Sequence, residues 1–151
     1  MPYKINISEK TGKTYKLEVE SEGLTEKELG SKILGTEILP GLEGYELEIT
    51  GASDKAGFTA VKEVEGIGLK KVLLTYGKAF KKRPKHEGKR KRSGNTPKGL
   101  RMRKTVRGKV ISPDIIQINM KIITPGQKPL AEIFPNQNKS KEEPKPEEKK
   151  E

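Results

Sequence analysis

The sequence has no cysteine and a single histidine, His86. Disulfides and thiolate-bound metals are therefore excluded, and the lone imidazole lies among cations with no second nitrogen or sulfur ligand nearby. The composition fits a reducing compartment. No apolar run reaches the roughly 18–20 residues that a membrane-spanning helix needs, and the opening MPYKINISEK has no signal-peptide core, so a soluble cytoplasmic protein is expected. The chain is also poor in apolar residues. They make up 30% of it, and the 16 glycines raise this only to about 40%, below the ~45–50% of ordinary domains. At 151 residues, one small core with appendages is the expected organisation.

Catalytic signatures are missing as well. No Gly-Lys-Ser/Thr phosphate loop occurs, and Gly66-Ile67-Gly68 is too short for a dinucleotide fingerprint. Glu46 and Glu48 stand two apart on a wet strand face, a pattern far commoner for solubility than for paired-carboxylate chemistry. No nucleophile, base and metal set assembles, so neither an enzyme nor a cofactor or small-molecule substrate is expected.

One region lacks acid almost completely. Between Lys78 and Lys109 stand 15 of the 32 Lys and Arg residues and one carboxylate, Glu87, for a local charge of +14. The other 17 bases and 20 acids sum to −3, which recovers the overall +11. Surface charge is usually mixed in sign. A block this one-sided repels itself until a polyanion neutralises it, and a phosphate backbone is the commonest such partner. The candidate nucleic-acid-binding residues are Lys78, Lys81, Lys82, Arg83, Lys85, Lys89, Arg90, Lys91, Arg92, Lys98, Arg101, Arg103, Lys104, Arg107 and Lys109. Only Phe80 is aromatic within the block, so base stacking is not the expected mode. Contacts to phosphate and sugar are expected instead, with arginine forking onto single phosphates and the interspersed glycines allowing close approach. The run KRKR also resembles a nuclear import signal, although 32 residues exceed what such a signal needs.

Around the block the chain alternates. Tyr3, Ile5 and Ile7 oppose Lys4, Asn6 and Ser8, and Tyr15, Leu17 and Val19 oppose Lys16, Glu18 and Glu20; a glycine turn between them predicts a hairpin. Tyr45, Leu47 and Ile49 form a third half-buried strand, Val72–Leu74 a fourth, and Val106, Val110 and Ile111 flank the block's far end. Ile116, Ile118, Met120 and Ile122 alternate with polar residues most clearly of all. A short helix is predicted from Thr25, where Glu28 completes a capping box, Leu24 and Leu29 a hydrophobic staple, and Gly35 a C-terminal stop. In Gly51–Phe58, Asp54 is placed to fold back on the backbone and Phe58 to plug the core. From Asn136 the composition turns to five Lys and five Glu without apolar residues, which predicts a solvated, disordered tail. The fold class is therefore mainly β: a compact antiparallel β-barrel-like domain with one short helix, a long basic loop and that tail. The domain is expected to span 1–126, with an extended linker and tail over 127–151.

YKINIS at the start, GASDKAGF, KKVLLTYG leading into Arg83-Pro84, and RKTVRGKVISPDIIQINMKI follow one another in the order of the S6e family of archaeal and eukaryotic small-subunit ribosomal proteins. The resemblance spans roughly Met1 to Gly126. It implies a structural, non-catalytic protein on the ribosome, bound to ribosomal RNA of the small subunit beside neighbouring ribosomal proteins, with the fifteen candidate cations as RNA-binding residues. Ala52 and Thr59-Ala60 depart from the usual family residues, the stretch around Ser93–Pro97 is extra length, and the long basic C-terminal helix of eukaryotic members is missing, as in archaeal-type proteins. The rival reading from another class is a free-standing DNA-binding or chromatin-type regulator, distinguished by whether duplex DNA or ribosomal subunits co-purify.

Overall fold

The structure is a computed structural model that describes residues 2–20, 22–77, 79–80 and 98–138. Seven strands carry it: β1 (Tyr3–Ser8), β2 (Thr14–Val19), β3 (Lys32–Leu34), β4 (Glu46–Asp54), β5 (Leu69–Leu74), β6 (Met102–Arg107) and β7 (Ile115–Thr124). A one-turn helix, α1 (Leu130–Ile133), follows them. The mainly-β expectation holds. The sheet, however, is open and mixed instead of closing into a barrel. Its order is β2-β1-β7-β4-β3, with β1 and β7 parallel and the other neighbours antiparallel. β5 and β6 form a separate two-stranded antiparallel ribbon.

The alternation read from the sequence becomes the core. Tyr3, Ile5, Ile7, Tyr15, Leu17, Leu47, Ile49, Ile118, Met120 and Ile122 all point to one buried face, joined by Ile33, Leu42 and Tyr45. Each such side chain contributes about 1.5–3 kcal/mol when fully removed from water. Ile116 departs from the pattern. β4 pairs Ser53 with Gln117 and Asp54 with Ile115, leaving Ile116 as the extra residue of a bulge, so Ile115 takes the buried position.

The expected helix at Thr25 does not form. Gly30 has φ +90 and Glu26 φ 70, both outside the helical region. The backbone there finds distant partners instead: Glu26 N–H donates to Ile111 C=O at 3.0 Å and Leu29 N–H to Lys109 C=O at 2.9 Å. Ile33 pairs with Leu47 as part of β3. The staple residues Leu24 and Leu29 are buried, but in a turn against the end of the basic block. A helix of barely one turn before Gly30 could not compete with those bonds.

The chain also stays packed past Gly126. Leu130 is buried in the core and Phe134 tilts on Tyr15 with ring centroids 5.8 Å apart. The Gln137 side chain accepts from Lys16 N–H and donates to Lys16 C=O, both at 2.7 Å, and Asn138 donates to Thr14 C=O. These contacts occupy part of the outer edge of β2, so the first residues of the expected solvated tail, Gln137 and Asn138, are bonded to the sheet. The Lys/Glu run from Lys139 lies outside the described residues.

Gly108, just after β6, shows how tightly the ribbon's base is set. A Cβ there would sit 1.8 Å from the Gly66 carbonyl oxygen. Backbone cannot yield as a side-chain tip can. Gly108→Ala is expected to lower unfolding free energy by about 3 kcal/mol, the upper part of the overpacking range, measured by urea unfolding.

Candidate nucleic-acid interface

The basic block enters and leaves the fold on the ribbon. β5 ends at Leu74 and β6 opens at Met102, so the block starts after one strand as the sequence implied, but it is not a loop throughout, because Met102–Arg107 within it is itself a strand paired with β5. Of the fifteen candidate residues, Lys98, Arg101, Arg103 and Lys104 are described and exposed. Lys78, Lys81, Lys82, Arg83, Lys85, Lys89, Arg90, Lys91 and Arg92 lie outside the described residues.

Among the described candidates, Lys109 and Arg107 are ion-paired within the fold. Lys109 Nζ stands 3.1 Å from a Glu28 carboxylate oxygen, and its side chain is mostly covered. Arg107 is committed further. Its Nε donates to Asp54 Oδ2 at 3.1 Å and its Nη1 to Asp114 Oδ2 at 3.0 Å. The side chains of Arg107 and Asp54 are only 13% and 4% exposed, which makes this a desolvated ion pair. Arg107 therefore holds β6 to the end of β4, and its charge is answered inside the protein.

The backbone tightens the same joint. Arg107 N–H donates to Thr59 C=O and Arg107 C=O accepts from Val61 N–H, each at 3.1 Å. Gly108, Lys109 and Val110 donate in turn to the carbonyls of Gly68, Val64 and Gly66. The ribbon's root is thus bonded on both sides to the 59–68 segment.

Asp54 is the pivot of the Gly51–Phe58 turn. Its Oδ1 accepts from Phe58 N–H at 2.8 Å and its C=O from Gly57 N–H at 3.1 Å, so the side chain folds back on the backbone as expected but four residues on, not the two of an Asx turn. Phe58 itself stays outside the core and half-exposed, because the turn needs its N–H and not its ring. Burial alone would raise the Asp54 pKa, but the Phe58 N–H and the Arg107 guanidinium outweigh it and hold the carboxyl below its usual 3.8. Burial would lower the Arg107 pKa, but the carboxylates of Asp54 and Asp114 outweigh it and raise it.

Phe80, the block's one aromatic residue, is 4% exposed and unavailable to stack on a base. Lys104 Nζ lies 5.5 Å from its ring centroid, a cation–π contact. The charge block begins too late to include two further cations of the ribbon, Lys70 and Lys71 on β5. Glu63 and Glu65 precede them and mask the run in a simple count; the signal available was their place beside Val72 in a strand that pairs with the block's own β6. Among the described residues, no three His, Asp or Glu side chains gather as metal ligands would.

The family model of Ribosomal protein S6e matches residues 3–96 and 93–135. The small ribosomal subunit protein eS6 of Archaeoglobus fulgidus is 41% identical over 148 residues, covering 95% of this chain and all of that protein. Its counterpart from Methanosphaera stadtmanae is 40% identical over 146 residues with the same coverages, and that of Methanococcus maripaludis 40% identical over 131 residues, or 86% of this chain and 94% of that protein. With the family model spanning most of the chain and such relatives aligned along nearly their whole length, this chain is an archaeal-type member of the ribosomal protein S6e family.

Proposed function

We propose that this protein is a structural constituent of the small ribosomal subunit, and that its open sheet serves as a pedestal for a basic ribbon and loop that bind ribosomal RNA. The observation that carries the reading is the fifteen-to-one excess of cations over 78–109, a block that ends in a ribbon whose root is fixed by the Arg107–Asp54 pair. The root positions; the exposed cations neutralise phosphate. Arg107, with two carboxylates already on its guanidinium, belongs to the positioning part. The DNA-regulator alternative is not favoured, because the family is ribosomal.

Two measurements test this. Sucrose-gradient fractionation of lysate should place the protein with the small subunit, and its appearance only among free or DNA-bound proteins would overturn the reading. Binding of a small-subunit ribosomal RNA fragment should also weaken steeply with salt. If about eight cations reach phosphates, log K falls with log salt at a slope near −6, and a slope shallower than about −2 rules out multiple phosphate contacts.

A further inference from the structure

The two faces of the β5–β6 ribbon differ in chemistry. Directly opposed residues of antiparallel strands share a face, so the register sorts the ribbon into two sets. Lys70, Val72 and Leu74 stand with Val106, Lys104 and Met102; Leu69, Lys71 and Leu73 stand with Arg107, Thr105 and Arg103. The first set turns inward along its middle, where Val106 is buried, Val72 and Leu74 are half-buried and Lys104 covers Phe80, while Lys70 and Met102 at its two ends are exposed. The second turns outward. Leu69 and Leu73 are 47% and 53% exposed and Lys71 and Arg103 are exposed, while Arg107, at the root end of the same face, is answered by Asp54 and Asp114.

Resting on the proposed function, we infer that this outward face is a second RNA-contact surface, fitted to the shallow minor groove of an A-form duplex. Leu69 and Leu73 lie against the riboses, while Lys71 and Arg103 reach the flanking phosphates. Beyond the Arg107 root the strand face carries Lys71 and Arg103 and no acid of its own, which selects a polyanion over a protein surface of mixed charge. Two leucines among those cations, four residues or about 13 Å apart along the strand, select one that also offers wide, low-polarity relief. An A-form minor groove is shallow and sugar-lined, whereas the deep major groove is closed to side chains. The face is continuous with the basic block, since Arg103 belongs to both.

Four full-length variants test the assignment: Leu69→Ser, Leu73→Ser, Lys71→Gln and Arg103→Gln. The probes are a ribosomal RNA hairpin and a DNA duplex of the same sequence, titrated at several salt concentrations, with each variant's thermal midpoint taken as a check on folding. The two cation variants should each flatten the salt slope by about one. Each leucine variant should bind the RNA about tenfold more weakly with the slope unchanged, because removing apolar contact releases no counterion. The leucine effect should vanish on B-form DNA, whose minor groove is narrower. Steep, salt-dependent wild-type binding with both leucine variants unaffected would overturn the minor-groove assignment while leaving the proposed function standing. Retained RNA affinity together with loss of a neighbouring protein from variant subunits would make the face a protein-docking surface and equally overturn it. A wild-type protein that binds RNA with no salt dependence would instead sink the proposed function itself.

Discussion

Deleting residues 82–97 and bridging the gap with a short Gly/Ser linker is expected to weaken ribosomal RNA binding on the order of a thousandfold at low salt while the domain stays folded. The deletion removes seven cations, Lys82, Arg83, Lys85, Lys89, Arg90, Lys91 and Arg92, together with Glu87. If those cations neutralise phosphates, the salt slope should flatten by about five to six, since each contact contributes ~0.7–0.9 to it. The fold should survive because β5 and β6 pair with each other outside the deleted stretch. Phe80 and its contact with Lys104 are retained. Closure entropy also changes slowly with loop length, so the linker costs little. Circular dichroism and thermal unfolding report on the fold, filter binding on the affinity. A folded variant with full affinity would move the RNA contact to the ribbon faces and the Gly51–Phe58 turn. An unfolded variant would show that the block supports the core, and the division into pedestal and binding loop would be wrong.

β1, β2, β4 and most of β7 were legible in the sequence because each has one wet and one dry face, and a period of two records that directly, whereas β3 lay in the expected helix and β6 within the expected loop. What the alternation does not record is the partner. Ile5 and Ile118 alternate equally clearly whether their strands run parallel or antiparallel, so the parallel β1–β7 pairing and the open sheet were hidden. Bulges were hidden for a related reason. An extra residue at Ile116 shifts the phase of one strand only because its neighbour, β4, demands it. The false helix at Thr25 carried good local start signals, which were outcompeted by carbonyls of Lys109 and Ile111, some eighty residues away in the chain. Arg107 shows the same limit at the candidate site. Counting charge along the chain makes it one of fifteen cations, while Asp54, 53 residues earlier, makes it a joint. Density of charge marks a candidate region; among the described residues, only long-range pairing separates the exposed cations from those that hold the ribbon in place.

The second large effect is expected at that joint. Asp54→Ala strands the Arg107 guanidinium at the root of the ribbon with one partner, the exposed Asp114, and leaves the Phe58 N–H without its acceptor. Removing one member of a buried pair costs about 3–5 kcal/mol, because the remaining charge has lost its compensation. The shared exposed partner places this case near 3 kcal/mol. Asp54→Asn should cost less, since the amide oxygen can still accept from Phe58 N–H while only the charge is lost. A cycle with Arg107→Met separates pair from parts: once Asp54 is gone, removing Arg107 should add little, giving a coupling of about 2 kcal/mol or more. A coupling near zero would mean that the pair is incidental to the joint. The pH dependence supplies an independent reading. A carboxyl held below its usual 3.8 in the folded protein stabilises fully above that value and ceases to do so as pH falls through the lowered one. The native protein should therefore lose this contribution below about pH 4, whereas Asp54→Asn should lack that segment of acid sensitivity. If urea unfolding at pH 7 and pH 3 gave the same decrement for both proteins, the Asp54 carboxylate would not be the group that locks the ribbon to the sheet.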